Sequence, residues 1–187
     1  MQLPLLFPFL ATPGVASWWP IHQPHCVTDA FANLTFTRIR SVLALQPTDL
    51  GNSTETLTQI LAEDFESTSD SYSMIAGRLG EVGVVGTINK TAEVEEVRGA
   101  SRSQDGIETL ALGTLGCWGM VWLWNLTKLN DEDVLYPVRG MHYLVLNEDW
   151  KITELHTEVN SLAYAADLGF GIKYPNGTVL PSKKGGS

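Results

Sequence analysis

The stretch Val138-Arg-Gly-Met-His-Tyr-Leu-Val-Leu-Asn-Glu-Asp-Trp-Lys-Ile-Thr-Glu-Leu-His-Thr-Glu-Val-Asn-Ser-Leu-Ala-Tyr-Ala-Ala-Asp-Leu168 decides the fold. Residues 139–146 alternate as a strand does, with Met141, Tyr143 and Val145 on one face and Gly140, His142, Leu144 and Leu146 on the other. Asn147, Glu148 and Asp149 make a turn, because short polar side chains bond their own backbone. Residues 152–160 alternate again. Ile152, Glu154, His156, Glu158 and Asn160 fall on one face, and Thr153, Leu155, Thr157 and Val159 on the other. From Ser161 the period changes. Leu162, Ala163, Ala165, Ala166 and Leu168 fit a short helix that Gly169 ends. The reading is an antiparallel hairpin whose second strand runs into a capped helix at the rim of a sheet.

A row of His, two Glu and Asn on one strand face needs bulk water or a polar cavity. Same-face neighbours on paired strands lie about 5 Å apart. An unsatisfied buried polar group costs roughly 1 to 3 kcal/mol. Two readings therefore stand: the wet face of a sheet, or the wall of a pocket. In the second, His142, His156, Glu158 and Asn160 form the candidate catalytic set. A histidine beside a carboxylate moves protons near neutral pH, Glu158 does the same, and Asn160 holds a carbonyl oxygen.

Upstream, a helix opens at Thr28 or Asp29. It carries Phe31, Leu34, Thr35, Arg38, Ile39, Val42 and Leu45 at helical spacing, and Pro47 stops it. A second helix is expected over Ser53 to Glu63 and a polar loop over Glu66 to Ser73. Gly77, Gly80, Gly83 and Gly86 mark a turn or flap; no Lys-Ser or Lys-Thr follows to make a phosphate loop. Thr91 to Ser103 reads as a third helix, and Ile107 to Leu115 and Cys117 to Leu126 as strands. The second of these puts Trp118, Met120, Trp122 and Trp124 on one face, as core or as a stacking platform. Helices first and strands afterwards argue for α+β. Asp64 and Tyr72, from the helix end and loop, join Trp122, Trp124 and Tyr143 as candidate substrate-binding residues, with Asp70 beside them.

The chain has 187 residues, 44% hydrophobic and 18% charged, enough for one domain with an ordinary core. Its boundaries are placed at 18–172. Residues 1–17 read as a signal peptide, with Leu3 to Ala16 apolar and small residues before the cut, or as a buried N-terminal arm. Residues 173–187 read as a flexible tail. A net charge of -9 with no basic run argues against nucleic acid and against anionic membrane surfaces. Sequons at Asn33, Asn52, Asn89, Asn125 and Asn176 support a secreted or luminal glycoprotein. In that oxidising setting Cys26 and Cys117 pair as a disulfide, or remain two buried thiols. No metal site is assigned, since neither cysteine has a partner at ligand spacing and alternate polar residues on a strand are common without metal. Gly-x-Ser-x-Gly is absent and no dinucleotide fingerprint follows a strand, so no cofactor is expected.

Several short segments carry a resemblance. Cys26-Val-Thr-Asp-Ala30 opens the first helix and Leu61-Ala-Glu-Asp-Phe65 ends the second. Cys117-Trp118 precedes Trp122-Leu-Trp124, and Val138-Arg-Gly140 leads a strand. Lys151-Ile152, Glu158-Val-Asn-Ser-Leu-Ala-Tyr164 and Asp167-Leu-Gly169 close the order. Over Cys26 to Gly169 the chain resembles secreted fungal proteins with a nuclear-transport-factor-two-like (SnoaL-like) domain. The closing motif of that family reads Glu-Phe-Asn-Ser followed by Ala-Trp; Val159 and Tyr164 stand at its aromatic positions here. The resemblance implies a cone, a strongly bent antiparallel sheet wrapped on N-terminal helices with a pocket at its open end. It also implies a cofactor-free cyclase, isomerase or pericyclase of secondary metabolism, in the manner of hetero-Diels-Alderases, acting on a small apolar polyketide or terpenoid. The alternative is a secreted small-ligand-binding module without chemistry. A homodimer is compatible with either.

Overall fold

The computed structural model describes residues 26–77 and 88–183. Residues 1–17, expected to be a signal peptide, most of the glycine-spaced stretch and the last four residues of the chain lie outside the described residues.

Helix α1 (Asp29–Leu43) begins where Thr28 accepts the Phe31 N–H at 3.2 Å, and it buries Ala32, Thr35, Phe36, Ile39 and Val42. Helix α2 (Ser53–Ile60) opens on a capping box, Asn52 and Glu55 each satisfying the other's backbone N–H. Strand β1 (Leu61–Thr68), helix α3 (Asp70–Ile75), strand β2 (Ile88–Asn89) and helix α4 (Lys90–Gly99) follow. Strands β3 (Ile107–Leu115), β4 (Gly119–Leu129), β5 (Glu132–Leu146) and β6 (Ile152–Val159) then form a meander into helix α5 (Ser161–Asp167).

Six strands make one sheet in the order β2-β1-β6-β5-β4-β3. The sheet is mixed, whereas an antiparallel one was expected, because β1 runs parallel to β6. Residues 61–68 were read as the end of a helix and the start of a loop. Leu57, Ile60, Leu61 and Phe65 do keep helical spacing, but the open edge of β6 captures the segment as a strand. The tail also departs from expectation, for β7 (Ile172–Lys173) and β8 (Val179–Leu180) pair as a small hairpin.

Register shifts bend the sheet at Thr109/Ala111, Leu126/Lys128 and Val145/Leu146. Pro137 is tolerated in β5 because β4 pairs with Val138 and then with Asp133, leaving the proline no ladder bond to donate. The curved inner face buries Met120, Trp122, Trp124, Leu126, Leu144 and Ile152 against α1 and α2. Phe36 meets Trp122 at 5.3 Å between ring centres. A disulfide joins Cys26, ahead of α1, to Cys117 in the β3–β4 turn, and the Val27 N–H bonds the Cys117 carbonyl at 3.0 Å. Among the described residues no helix is long and apolar enough to cross a membrane.

Candidate functional site

Sheet and helices enclose a cavity of about 390 Å³. Ile39 and Val42 of α1, Leu57 and Ile60 of α2, Phe65 of β1, and Ile152 and Leu155 of β6 give it an apolar lining. Polar groups enter from β5, β6, α3, α4, α5 and the α4–β3 connection.

His142 of β5 is buried, 4% exposed, and set between Trp122 and Trp124 at 5.4 and 5.5 Å between ring centres. Its Nδ1 lies 2.7 Å from the Thr157 hydroxyl on the paired strand. Its Nε2 is buried with no protein partner among the described residues. Burial pushes this imidazole down to about 3, so it is neutral at physiological pH. With Thr157 donating to Nδ1, Nε2–H is a free donor; with the opposite tautomer it is an acceptor. Either way the ring can bond a neutral polar atom but cannot serve as an imidazolium acid.

A second polar cluster comes from α3, α4, α5 and the connection between α4 and β3. The Gln104 amide lies 3.4 Å from the Tyr164 hydroxyl, while its other end, Oε1, is buried without a partner. Exchanging amide N and O would leave the nitrogen unanswered instead. The Gln104 backbone N–H bonds the Leu43 carbonyl at 2.9 Å, which ties this connection to α1. Tyr72 and Tyr164 meet edge to face at 5.7 Å, and burial holds both phenols above their usual value. Tyr72 is delivered by α3, which starts on Ser69 accepting the Tyr72 N–H at 3.1 Å. On α4, Glu93 faces the cavity half-buried; burial, with the Glu96 charge adding, pushes its carboxyl up to about 7.

Of the residues chosen from sequence, His142 and Tyr72 reach the cavity and the others do not. For the candidates on β6 the reason is a one-residue irregularity at Thr153. Leu146 pairs with Ile152 but Val145 pairs with Glu154, so Ile152 points inward while Glu154, His156 and Glu158 point outward. His156 consequently stacks on Tyr143 at 5.7 Å and meets Glu154 at 3.2 Å on the outer face. Glu158 holds the start of α3, and Asn160 caps α5 by accepting the Ala163 N–H at 3.4 Å. Asp64 is exposed on β1, with its neighbour Phe65 taking the inward position. Trp122 and Trp124 are core behind His142 and do not line the cavity.

Sequence reasoning missed Thr157, Glu93, Gln104 and Tyr164. Glu93 and Val97 stand four apart on one helix stripe, a signal that was available. Tyr164 occupied an aromatic position of the closing motif, but nothing in the sequence marks Gln104. Asn33, Asn52, Asn89 and Asn176 are exposed, and Asn125 is half-buried on the outer sheet face. Among the described residues no group of three His, Cys, Asp or Glu side chains could hold a metal ion.

A family profile for the NTF2-like domain matches residues 25–171. No curated protein matches the chain. Among solved structures, Delta 5-3-ketosteroid isomerase from Mycobacterium sp. aligns at 13% identity, covering 70% of this chain and 93% of its own, with a TM-score of 0.47. A protein from Jannaschia sp. CCS1 designated a SnoaL-like polyketide cyclase aligns at 9% identity over 74% of this chain and 93% of its own, with a TM-score of 0.46. RV0760c from Mycobacterium tuberculosis, solved with estradiol-17beta-hemisuccinate, aligns at 12% identity over 67% and 89%, with a TM-score of 0.45. The profile match spans most of the chain, and the protein belongs to the NTF2-like family.

Proposed function

We propose that this protein is a cofactor-free enzyme of secondary metabolism, a cyclase, isomerase or pericyclase that folds a small apolar polyketide or terpenoid within its cavity. The observation that carries the reading is the cavity itself, about 390 Å³ of mainly apolar wall holding two buried polar atoms, His142 Nε2 and one end of Gln104, that no group among the described residues answers. Such atoms cost roughly 1 to 3 kcal/mol each until an occupant bonds them, which favours a ligand with matching oxygen functions. Holding two ends of a flexible molecule together removes much of the entropy cost of ring closure. A hydrogen bond from a neutral imidazole or amide to a carbonyl would stabilise charge developing on its oxygen. Hetero-Diels-Alder addition needs no more than these two effects. The disulfide and the five sequons support passage through the secretory pathway.

A second reading, a secreted binding module without chemistry, is favoured by one observation: of the four residues first chosen as catalytic, only His142 reaches the cavity. One experiment separates the two. Protein made through a secretory host is incubated with metabolite extract from the source organism, and retained small molecules are identified by mass spectrometry. A retained compound converted to an isomer supports the enzyme. A compound retained unchanged supports the module, and no retention removes both.

A further inference from the structure

Helix α4 faces the cavity with Glu93, Glu96, Val97 and Ala100, a stripe on which a helix packed over apolar space ordinarily carries apolar side chains. Two of these four are carboxyls. The basic residues of the same helix turn elsewhere: Lys90 bonds Glu63 and the Leu61 carbonyl, and Arg98 pairs with Glu95. The Glu93 carboxyl has no hydrogen bond or ion pair among the described residues. Around it, α2 presents Leu57 and Ile60, and β2 presents Ile88. Among the described residues the ionisable groups on this wall are Glu96 on the same helix, Tyr72 on α3, Tyr164 on α5 and Arg102 after α4. Arg102 is directed to the Leu168 carbonyl at 3.3 Å.

An occupant of this cavity displaces the water that still reaches Glu93. Desolvation penalises the carboxylate and leaves the neutral acid almost untouched. A bound ammonium would reverse the sign, but besides Glu96 and an Arg102 already directed to the Leu168 carbonyl, the polar groups here are a neutral histidine, an amide and two phenols, which suit a molecule without charge. We infer that Glu93 makes ligand capture proton-linked: the cavity takes an uncharged apolar molecule together with one proton on Glu93, and therefore binds it more tightly on the acidic side of neutrality. This rests on the cavity being a ligand site, as proposed above, and adds the ligand's charge class and the control of its affinity.

Among the described groups on the lining whose titration burial displaces, Glu93 is the one moved into that range. Burial sends the Tyr72 and Tyr164 phenols up and His142 down to about 3, away from neutrality on either side. Glu93, at about 7 when the cavity is empty, moves higher when it fills.

The probe is the uncharged fluorophore 6-propionyl-2-dimethylaminonaphthalene, titrated against the intact protein from pH 5.5 to 8.5. The expected result is constant affinity below about pH 6.5, then a fall of several-fold, at most about tenfold, per pH unit above 7. Calorimetry at pH 7 in phosphate and in Tris should show uptake of a fraction of a proton on binding. Glu93→Gln, which mimics the protonated acid, should bind at the acid-side affinity at every pH, take up no proton and keep its melting temperature within a few degrees. Flat affinity with normal binding overturns the proton linkage and leaves the ligand site standing. Proton release, or tighter binding of a cationic analogue that Glu93→Gln abolishes, overturns the charge class. Absence of binding by both proteins removes the ligand site and the linkage together.

Discussion

Glu158 on β6 reaches Ser71 on α3, taking the serine hydroxyl on one carboxylate oxygen and the Asp70 backbone N–H at 3.1 Å on the other. Ser71 in turn accepts the Val159 N–H at 3.2 Å, so the short helix that carries Tyr72 into the cavity is fastened at its first turn to the sheet. A six-residue helix has little stability of its own. The carboxylate at its start supplies both hydrogen bonds and a favourable charge against the helix dipole.

Replacing Glu158 by Gln should therefore weaken the position of α3 and leave any chemistry intact. The expected cost is about 1 kcal/mol, and about 1 to 2 kcal/mol for Ser71→Ala, whose hydroxyl is buried. The double variant should cost less than the sum of the two, because both changes break one network. Urea unfolding of the four proteins measures the coupling. A fully additive result would show that the two residues do not act together.

Gly140 shows a second dependence between sheet neighbours. It sits opposite Trp124 in register, and a Cβ built there would stand 2.2 Å from Trp124 Cζ2. Gly140→Ala should push the indole from its place behind His142 at a cost of about 1 to 3 kcal/mol. A lower unfolding midpoint together with an altered tryptophan emission spectrum is the expected result. The same change at Gly113, whose Cβ would make only an ordinary contact with Val121, should be far milder.

The disulfide closes a loop of 91 residues and ties α1 to the far turn of the sheet. Opening it by Cys26→Ser with Cys117→Ser should cost about 2 to 5 kcal/mol. Guanidinium unfolding of the oxidised protein against the double variant tests this, and equal midpoints would show that α1 stays docked without the link.

Regular periodicity made much of this fold legible. Ile107 to Leu115 was read with the bounds that the strand has, and Thr28 and Gly169 marked helix ends because each acts through local backbone chemistry, whereas α1 stops at Leu43, before Leu45 and Pro47 are reached. Strand β1 was hidden, since Leu61-Ala-Glu-Asp-Phe65 fits a helix locally and becomes a strand only beside β6, some ninety residues later. The site failed in a more instructive way. Alternation along β6 was recognised, but one irregularity at Thr153 exchanges the faces and sends the most chemical-looking residues outward. Thr157, which meets His142, was assigned to the opposite face from the candidate row and passed over. Gln104 could not be found because its role depends on α1, α3 and α5 converging around an irregular connection.

His142 and Glu93 should leave opposite marks on stability against pH. The His142 pKa falls from 6.5 unfolded to about 3 folded, so between those values the unfolded chain holds the extra proton, and stability drops as pH falls from 6.5 towards 3. The Glu93 pKa rises from 4.5 to about 7, so between those values the folded chain holds the extra proton, and stability drops as pH rises from 4.5 towards 7. Each slope approaches about 1.4 kcal/mol per pH unit in the middle of its window. From pH 4.5 to 6.5 the two oppose each other and the pair contributes little net slope. Removing one member exposes the other. Relative to the unmodified protein, Glu93→Gln should lose stability as pH is lowered through 6.5 to 4.5, and His142→Asn should lose it as pH is raised over the same interval. Denaturant unfolding at half-unit pH steps measures both differences. Parallel curves for all three proteins would mean that neither group is desolvated as the cavity requires.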